Sequence, residues 1–181
     1  MKSVEMEFRD NVGRLLLRDL QAVRREIEHY PNDEGPWKAV PGLTNAGGTL
    51  VLHLAGNLQH FLGAVLNNNG YVRNRDVEFV KRGVPRAELI RELDVTIDTV
   101  IKALSALAAS QLEGVFPQDI NNMRIPTDIF LMHLATHLAY HLGQLDYHRR
   151  CVTGDSKPVG TLSLPALLLP FPPIAGVSAH A

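Results

Sequence analysis

One cysteine, Cys151, in a chain of 181 residues excludes an intrachain disulfide and gives no sign of an oxidising compartment. An excess of charge of one sign is missing too, because 18 Lys and Arg face 19 Asp and Glu for a formal net charge of -1. No basic field is therefore present to neutralise phosphates, and nucleic-acid binding is not expected as the main activity. Long apolar runs are also lacking. The stretch MKSVEMEFRDNVGRLLLRDL alternates charged with apolar residues, unlike a signal peptide. Near the other end, LSLPALLLPFPPIAGV is interrupted by Pro165, Pro170, Pro172 and Pro173, so it is no continuous membrane-spanning helix. These absences leave a cytoplasmic protein with no membrane partner as the expectation. No internal repeat or low-complexity run occurs, and 45% hydrophobic residues at this length suit one globular domain.

What is present is helical periodicity in four segments divided by three Pro-, Gly- and Asn-rich connections. The first spans about residues 4–29, with Phe8, Val12, Leu15, Leu16, Leu20, Val23 and Ile27 on one side, and stops near Pro31. The second, about residues 45–66, is apolar nearly all round, as a buried helix would be, and ends at Asn67-Asn68-Asn69-Gly70. The third follows Val84-Pro85 and places Leu89, Leu93, Ile97, Val100, Leu104 and Leu107 at steps of three and four. The fourth runs from about Pro126 to Arg150, with Gly154 as its stop. Helices of this size are about 30 to 40 Å long at 1.5 Å per residue, the dimensions of a bundle. The reading is an all-α, antiparallel four-helix bundle over residues 1–155, followed by a Pro/Leu-rich tail, 156–181. That tail is too apolar to be freely solvated, so it reads either as a poorly ordered terminus or as an arm on the bundle or on a second subunit.

The fourth segment reads HLATHLAYHLGQLDYHRR, which places His133, His137 and His141 at successive four-residue steps and His148 seven further on. Each four-residue step turns only about 40° around a helix, so the four share one face. Two imidazoles at i and i+4 can reach one ion. A lone histidine on such a face is usually a hydrogen-bonded boundary residue. Several together cost desolvation unless a metal or hydrogen bonds satisfy them. Spacing alone leaves His133 with His137 and His137 with His141 both open as the pair. The second segment adds His53 among Leu50, Leu52 and Leu54, with Asn57 one turn on and His60 two turns on. His29 and His180 lie near ends and receive no role.

Three neutral imidazoles would leave an ion its full +2 charge and an open position, the pattern of a reactive rather than a closed structural site. Two familiar chemistries are not encoded. His133-Leu134-Ala135-Thr136-His137 has leucine where zinc proteases carry glutamate, and a di-iron bundle needs two Glu-x-x-His pairs where only Glu26/His29 is available. Cys151 lies ten residues past His141, about 15 Å along a helix, too far to share its ion.

HLATHLAYHLGQLDYHRR with LVLHLAGNL upstream resembles the DinB/YfiT-like superfamily of metal-binding four-helix bundles, whose last helix carries H-x-x-x-H-x-G-Q, over about residues 4–150. The resemblance implies that His137 and His141 are the last-helix ligands and His53 the ligand from the second helix. Asn57, Tyr140 and Gln144 become candidates for hydrogen bonds around the site, with His133 ranked below His141. It further implies a divalent ion, zinc or nickel first, with iron or manganese as alternatives. Members of the superfamily use low-molecular-weight thiols such as bacillithiol and mycothiol as cosubstrates in transfer and isomerisation, and others have been called metal-dependent hydrolases. The functional expectation is a metal-dependent enzyme acting on a small molecule, activating a thiol for S-transfer or water for hydrolysis. The alternative is a non-catalytic metal-binding or interaction protein. The Trp37 loop and the loop of about residues 110–125 are candidate borders of the open side. Arg149 and Arg150 would either receive an anionic thiol or complement the helix end. Surplus apolar surface on the tail and the second helix suggests a homodimer.

Overall fold

The apolar stripes become four long helices in the computed structural model, which describes residues 3–172. They are α1 (Val4–Glu28), α2 (Gly47–Leu58), α4 (Arg86–Ala106) and α6 (Thr127–Thr153), with α2 running on as a π-helical segment, Gln59–Leu66. Two short helices lie between them, α3 (Arg75–Val80) and α5 (Ala109–Leu112), and single 3-10 turns form at Gly35–Trp37 and Pro165–Leu168. Among the described residues there is no strand, only isolated bridges pairing Val115 with Pro126 and Ile120 with Met123. Helix ends follow local chemistry. Pro85 precedes the first turn of α4, and Gly154 closes α6 with φ 70, a left-handed conformation that costs glycine nothing.

Each long helix borders two others: α1 lies against α4 and α6, and α2 lies against the same two. Leu16, Leu20, Val23 and Ile27 of α1 meet Leu54, Leu58 and Leu62 of the second helix, Leu89, Leu93, Val100 and Leu104 of α4, and Leu134, Leu138 and Leu145 of α6 in one buried core. Each such side chain contributes roughly 1.5–3 kcal/mol by burial. The helix from Gly47 to Leu66 is long and apolar enough to cross a membrane, but 67% of it is buried inside the protein, as expected of a core helix.

Side-chain partners give the directions. Arg9 reaches the carbonyl of Leu107 and Arg24 reaches Asp94, so α1 and α4 are antiparallel. Phe61 meets Phe130 while Gly47 faces Leu145, so α2 and α6 are antiparallel. Gln59 bonds Thr96 and Gly63 sits on Thr99, so α2 and α4 run parallel. A parallel pair needs a connection that returns along the bundle, and residues 67–85 supply it with α3 at their centre. This return path lays α3 across α2.

The chain after α6 folds back along α1. Arg149 donates to the carbonyls of Asp155 and Lys157, Arg25 to those of Val159 and Gly160, and Arg14 to that of Leu169, while Phe171 is buried on α1. Residues 173–181, the rest of the expected tail, lie outside the described residues. Arg149 is fully buried on Glu26, at 2.5 Å, and Arg150 pairs with Asp146, so both arginines are held by the fold and neither faces the histidines. Burial, aided by the neighbouring Asp146, pushes the Glu26 carboxyl up to about 7 against the pull of Arg149.

Candidate metal centre

His53 projects from the middle of α2 and His137 and His141 from adjacent turns of α6, and one nitrogen of each lies within 4.8 Å of the other two. His53 Nε2 is 3.2 Å from His137 Nε2. Metal–nitrogen bonds of about 2.0–2.1 Å at a tetrahedral angle place two nitrogens about 3.3 Å apart, so this edge already has the dimension of a zinc-type site.

Two of the three rings are locked from behind. The Nδ1–H of His53 donates to Glu78 Oε2 at 3.0 Å, and the Nδ1–H of His141 donates to Gln144 Oε1 at 2.7 Å. Each bond fixes the tautomer that leaves the Nε2 lone pair free toward the cluster. Burial, reinforced by the neighbouring His141, His53 and His133 rings and by Arg73, holds His137 down at about 4, so it is neutral and able to ligate at neutral pH. His141 is lowered as well, by burial and by His53, against the opposing bond from Gln144. Convergent imidazoles, two of them with fixed outer hydrogens, fit a divalent cation, and the three-histidine group can hold one.

Glu78 was not legible in the sequence. It sits on α3, and both carboxylate oxygens are used: Arg73 Nε donates to Oε1 at 2.6 Å and Arg73 Nη2 to Oε2 at 2.8 Å, beside the bond from His53. Burial raises its pKa, but the bonds from Arg73 and His53 outweigh it and keep the carboxyl ionised below its usual range. Arg73 Nη2 also lies 3.4 Å from His53 Nδ1, a contact between two donors once Nδ1 carries its proton. α3 can approach this closely because position 56 is glycine, where a Cβ would meet Glu78 Oε1 at 2.2 Å. A matching signal did exist in the sequence, in Asn74 capping the backbone N–H of Val77 with Asp76 in the first turn.

The remaining candidates separate by position. Asn57 is buried one turn beyond His53, and its Oδ1 has no hydrogen-bond donor among the described residues. His133 is exposed and stacks on Phe130, and Tyr140 is 66% exposed and touches only the edge of His141. His148 also faces α2, beside Gly47, but two turns past His141, and it does not join the cluster. It is buried against Tyr30, at 2.6 Å, and the Lys38 carbonyl, because α6 turns that position toward the end of α1. Trp37 of the first candidate loop bonds the Val84 carbonyl and lies over Gly48, away from the cluster, whereas Gln118 of the second bonds His60. Gln144 also lines a cavity of about 140 Å³ with Leu50 and residues 42–45.

A model of the family described as a protein of unknown function (DUF1572) matches residues 7–166, which include all but the first residues of α1, the whole of α2 to α6 and every residue of the cluster. The chain belongs to the DUF1572 family. No curated protein and no solved structure matches it. Within this family member, the three-histidine group and its Glu78–Arg73 backing are gathered where α2, α6 and the connection carrying α3 meet.

Proposed function

We propose that this DUF1572 protein is a metal-dependent enzyme that activates a low-molecular-weight thiol for transfer to an electrophile. One observation carries the reading. Among the described residues three histidines, without a fourth ligand, lie within 4.8 Å of one another, and the outer nitrogens of two of them are already occupied by Glu78 and Gln144. A structural site is closed by four protein ligands, whereas three leave a position for an exogenous one. The DUF1572 family is commonly grouped with DinB/YfiT-like proteins, in keeping with the sequence resemblance. An all-imidazole donor set suits zinc or nickel better than manganese, which prefers oxygen ligands.

A divalent ion bound there supplies Lewis acidity, lowering the pKa of the thiol or water that takes its open position. The protein's part is positional. Glu78 stays ionised and keeps His53 turned with Nε2 inward, and Gln144 does the same for His141. The same arrangement serves thiol transfer and hydrolysis, so the assay separates them. Metal-loaded protein incubated with cellular thiols and an aryl halide is expected to form the thioether faster than metal-free protein, and to leave activated esters alone. Ester cleavage without thioether formation would move the assignment to hydrolysis. Neither activity, with the metal bound, would favour a metal-binding protein without turnover.

A further inference from the structure

Arg73 is engaged along one edge only. Its Nε and one Nη2 hydrogen go to Glu78, and Nη1 has no acceptor among the described residues. A guanidinium carries five N–H donors in a planar fork, so its end-on edge, made by Nη1 and the other Nη2 hydrogen, is unused. Arg18, its side chain 10% exposed, likewise keeps donors free, with only Nε on Asp19, whereas the more deeply buried Arg9 and Arg149 engage all three nitrogens. Arg9 spends Nε and Nη2 on Asp10 and Nη1 on the carbonyls of Ser105 and Leu107. Arg149 spends Nε on Glu26, Nη1 on the Asp155 carbonyl and Nη2 on Asp146 and the Lys157 carbonyl. Arg73 is nearly as enclosed, with 11% of its side chain exposed and its guanidinium 6.0 Å from the centre of the Phe61 ring. The free edge is not sealed from solvent, so an acceptor can reach it from outside.

Arg73 adjoins the metal ligands: Nη2 lies 3.4 Å from His53 Nδ1, on the outer side of that ring, and its charge also acts on His137. We propose that Arg73 receives an anion at the metal centre: the small molecule that gives one atom to the ion also carries a carboxylate, or a comparable oxyanion, which docks on the end-on edge of the Arg73 guanidinium. Two parallel N–H groups match two carboxylate oxygens, giving a charge-assisted and directional contact. Glu78 does not compete for this edge, because both of its oxygens are taken by His53 and by the other edge of Arg73. The inference rests on the reading of the three histidines as a metal site with an open position.

Cobalt-substituted protein, followed by its visible spectrum, tests it with paired ligands: mercaptoacetate against 2-mercaptoethanol, and glycolate against ethylene glycol. Arg73→Met is expected to weaken the two carboxylates about tenfold or more, the worth of a hydrogen bond to a charged group, with little change for the neutral partners. Arg73→Lys should fall between. Cobalt affinity is measured for each variant, and Arg73→Lys, which keeps a cation beside Glu78, separates loss of the anion contact from loss of the backing behind His53. Equal weakening of charged and neutral ligands, or none, would overturn the anion site alone. A spectrum that no ligand perturbs, or no cobalt binding, would overturn it together with the open metal position.

Discussion

Glu78 decides which nitrogen of His53 is free, although it touches no substrate-facing atom. Removing it lets the ring rotate and protonate at Nε2, so Glu78→Ala should weaken zinc binding about 10–100-fold, the usual worth of a carboxylate behind a metal-bound histidine. Calorimetry on folded protein would show it, and an unchanged affinity would mean that the packing of α2 alone orients His53. His137 gives a pH test. Its folded pKa, about 4, lies below the 6.5 of a free imidazole, so between these values the unfolded chain takes up a proton that the folded chain refuses. Stability of the metal-free protein from this group is therefore complete above about 6.5 and is lost as pH falls toward 4. Urea midpoints measured down this range should fall more steeply for the wild type than for His137→Gln; parallel curves would contradict the shift. Helical spacing puts His133, His137 and His141 on one face of α6 and His53 in an apolar helix, but leaves the pair open, and it is the family resemblance that ranks His141 above His133. Glu78 and Arg73 were not legible in the sequence, since their roles arise only where the connection crosses α2.

At the scale of elements, the boundaries that could be read were those marked by chemistry: Pro85 before α4, Gly154 after α6 and the asparagine run after Leu66. The six residues of α3 are too few for apolar periodicity to register, and the parallel course of α2 and α4, which sends the connection back over His53, is a property of packing. The π-helical turns from Gln59 to Leu66 likewise follow from contact, where Gly63 sits against Thr99 and Asn69. Because α3 is short, its cap matters more than usual. Asn74→Ala removes the side-chain bond to the Val77 N–H and should cost about 1 kcal/mol locally. Faster hydrogen exchange confined to residues 75–80, with zinc affinity reduced several-fold, is the expected result. Unchanged exchange there would show that Glu78 and Arg73, not the cap, hold the helix.

Across the whole molecule, the bundle and the chain that follows it are joined through one buried cation. Arg149, itself without access to water, links the equally buried Glu26 of α1, the partly exposed Asp146 of its own helix and the carbonyls of residues 155 and 157. Arg149→Met would strand Glu26 and release the start of the return segment, an expected loss of about 3–5 kcal/mol. Thermal unfolding of the variant would reveal it, and a loss below 1 kcal/mol would mean that Phe171 and the α1 arginines anchor the segment by themselves. The histidine cluster lies elsewhere in the bundle, so this variant should still bind metal while folded.

Metal content is the most direct test of the site. Protein purified after expression with added zinc or nickel, then measured by elemental analysis and calorimetry, should hold about one ion per chain. His53→Ala, His137→Ala and His141→Ala should each lose it while remaining helical, whereas His133→Ala and His60→Ala should keep it. Folded His137→Ala and His141→Ala proteins that bind metal with wild-type affinity would contradict the site, and the proposed chemistry with it.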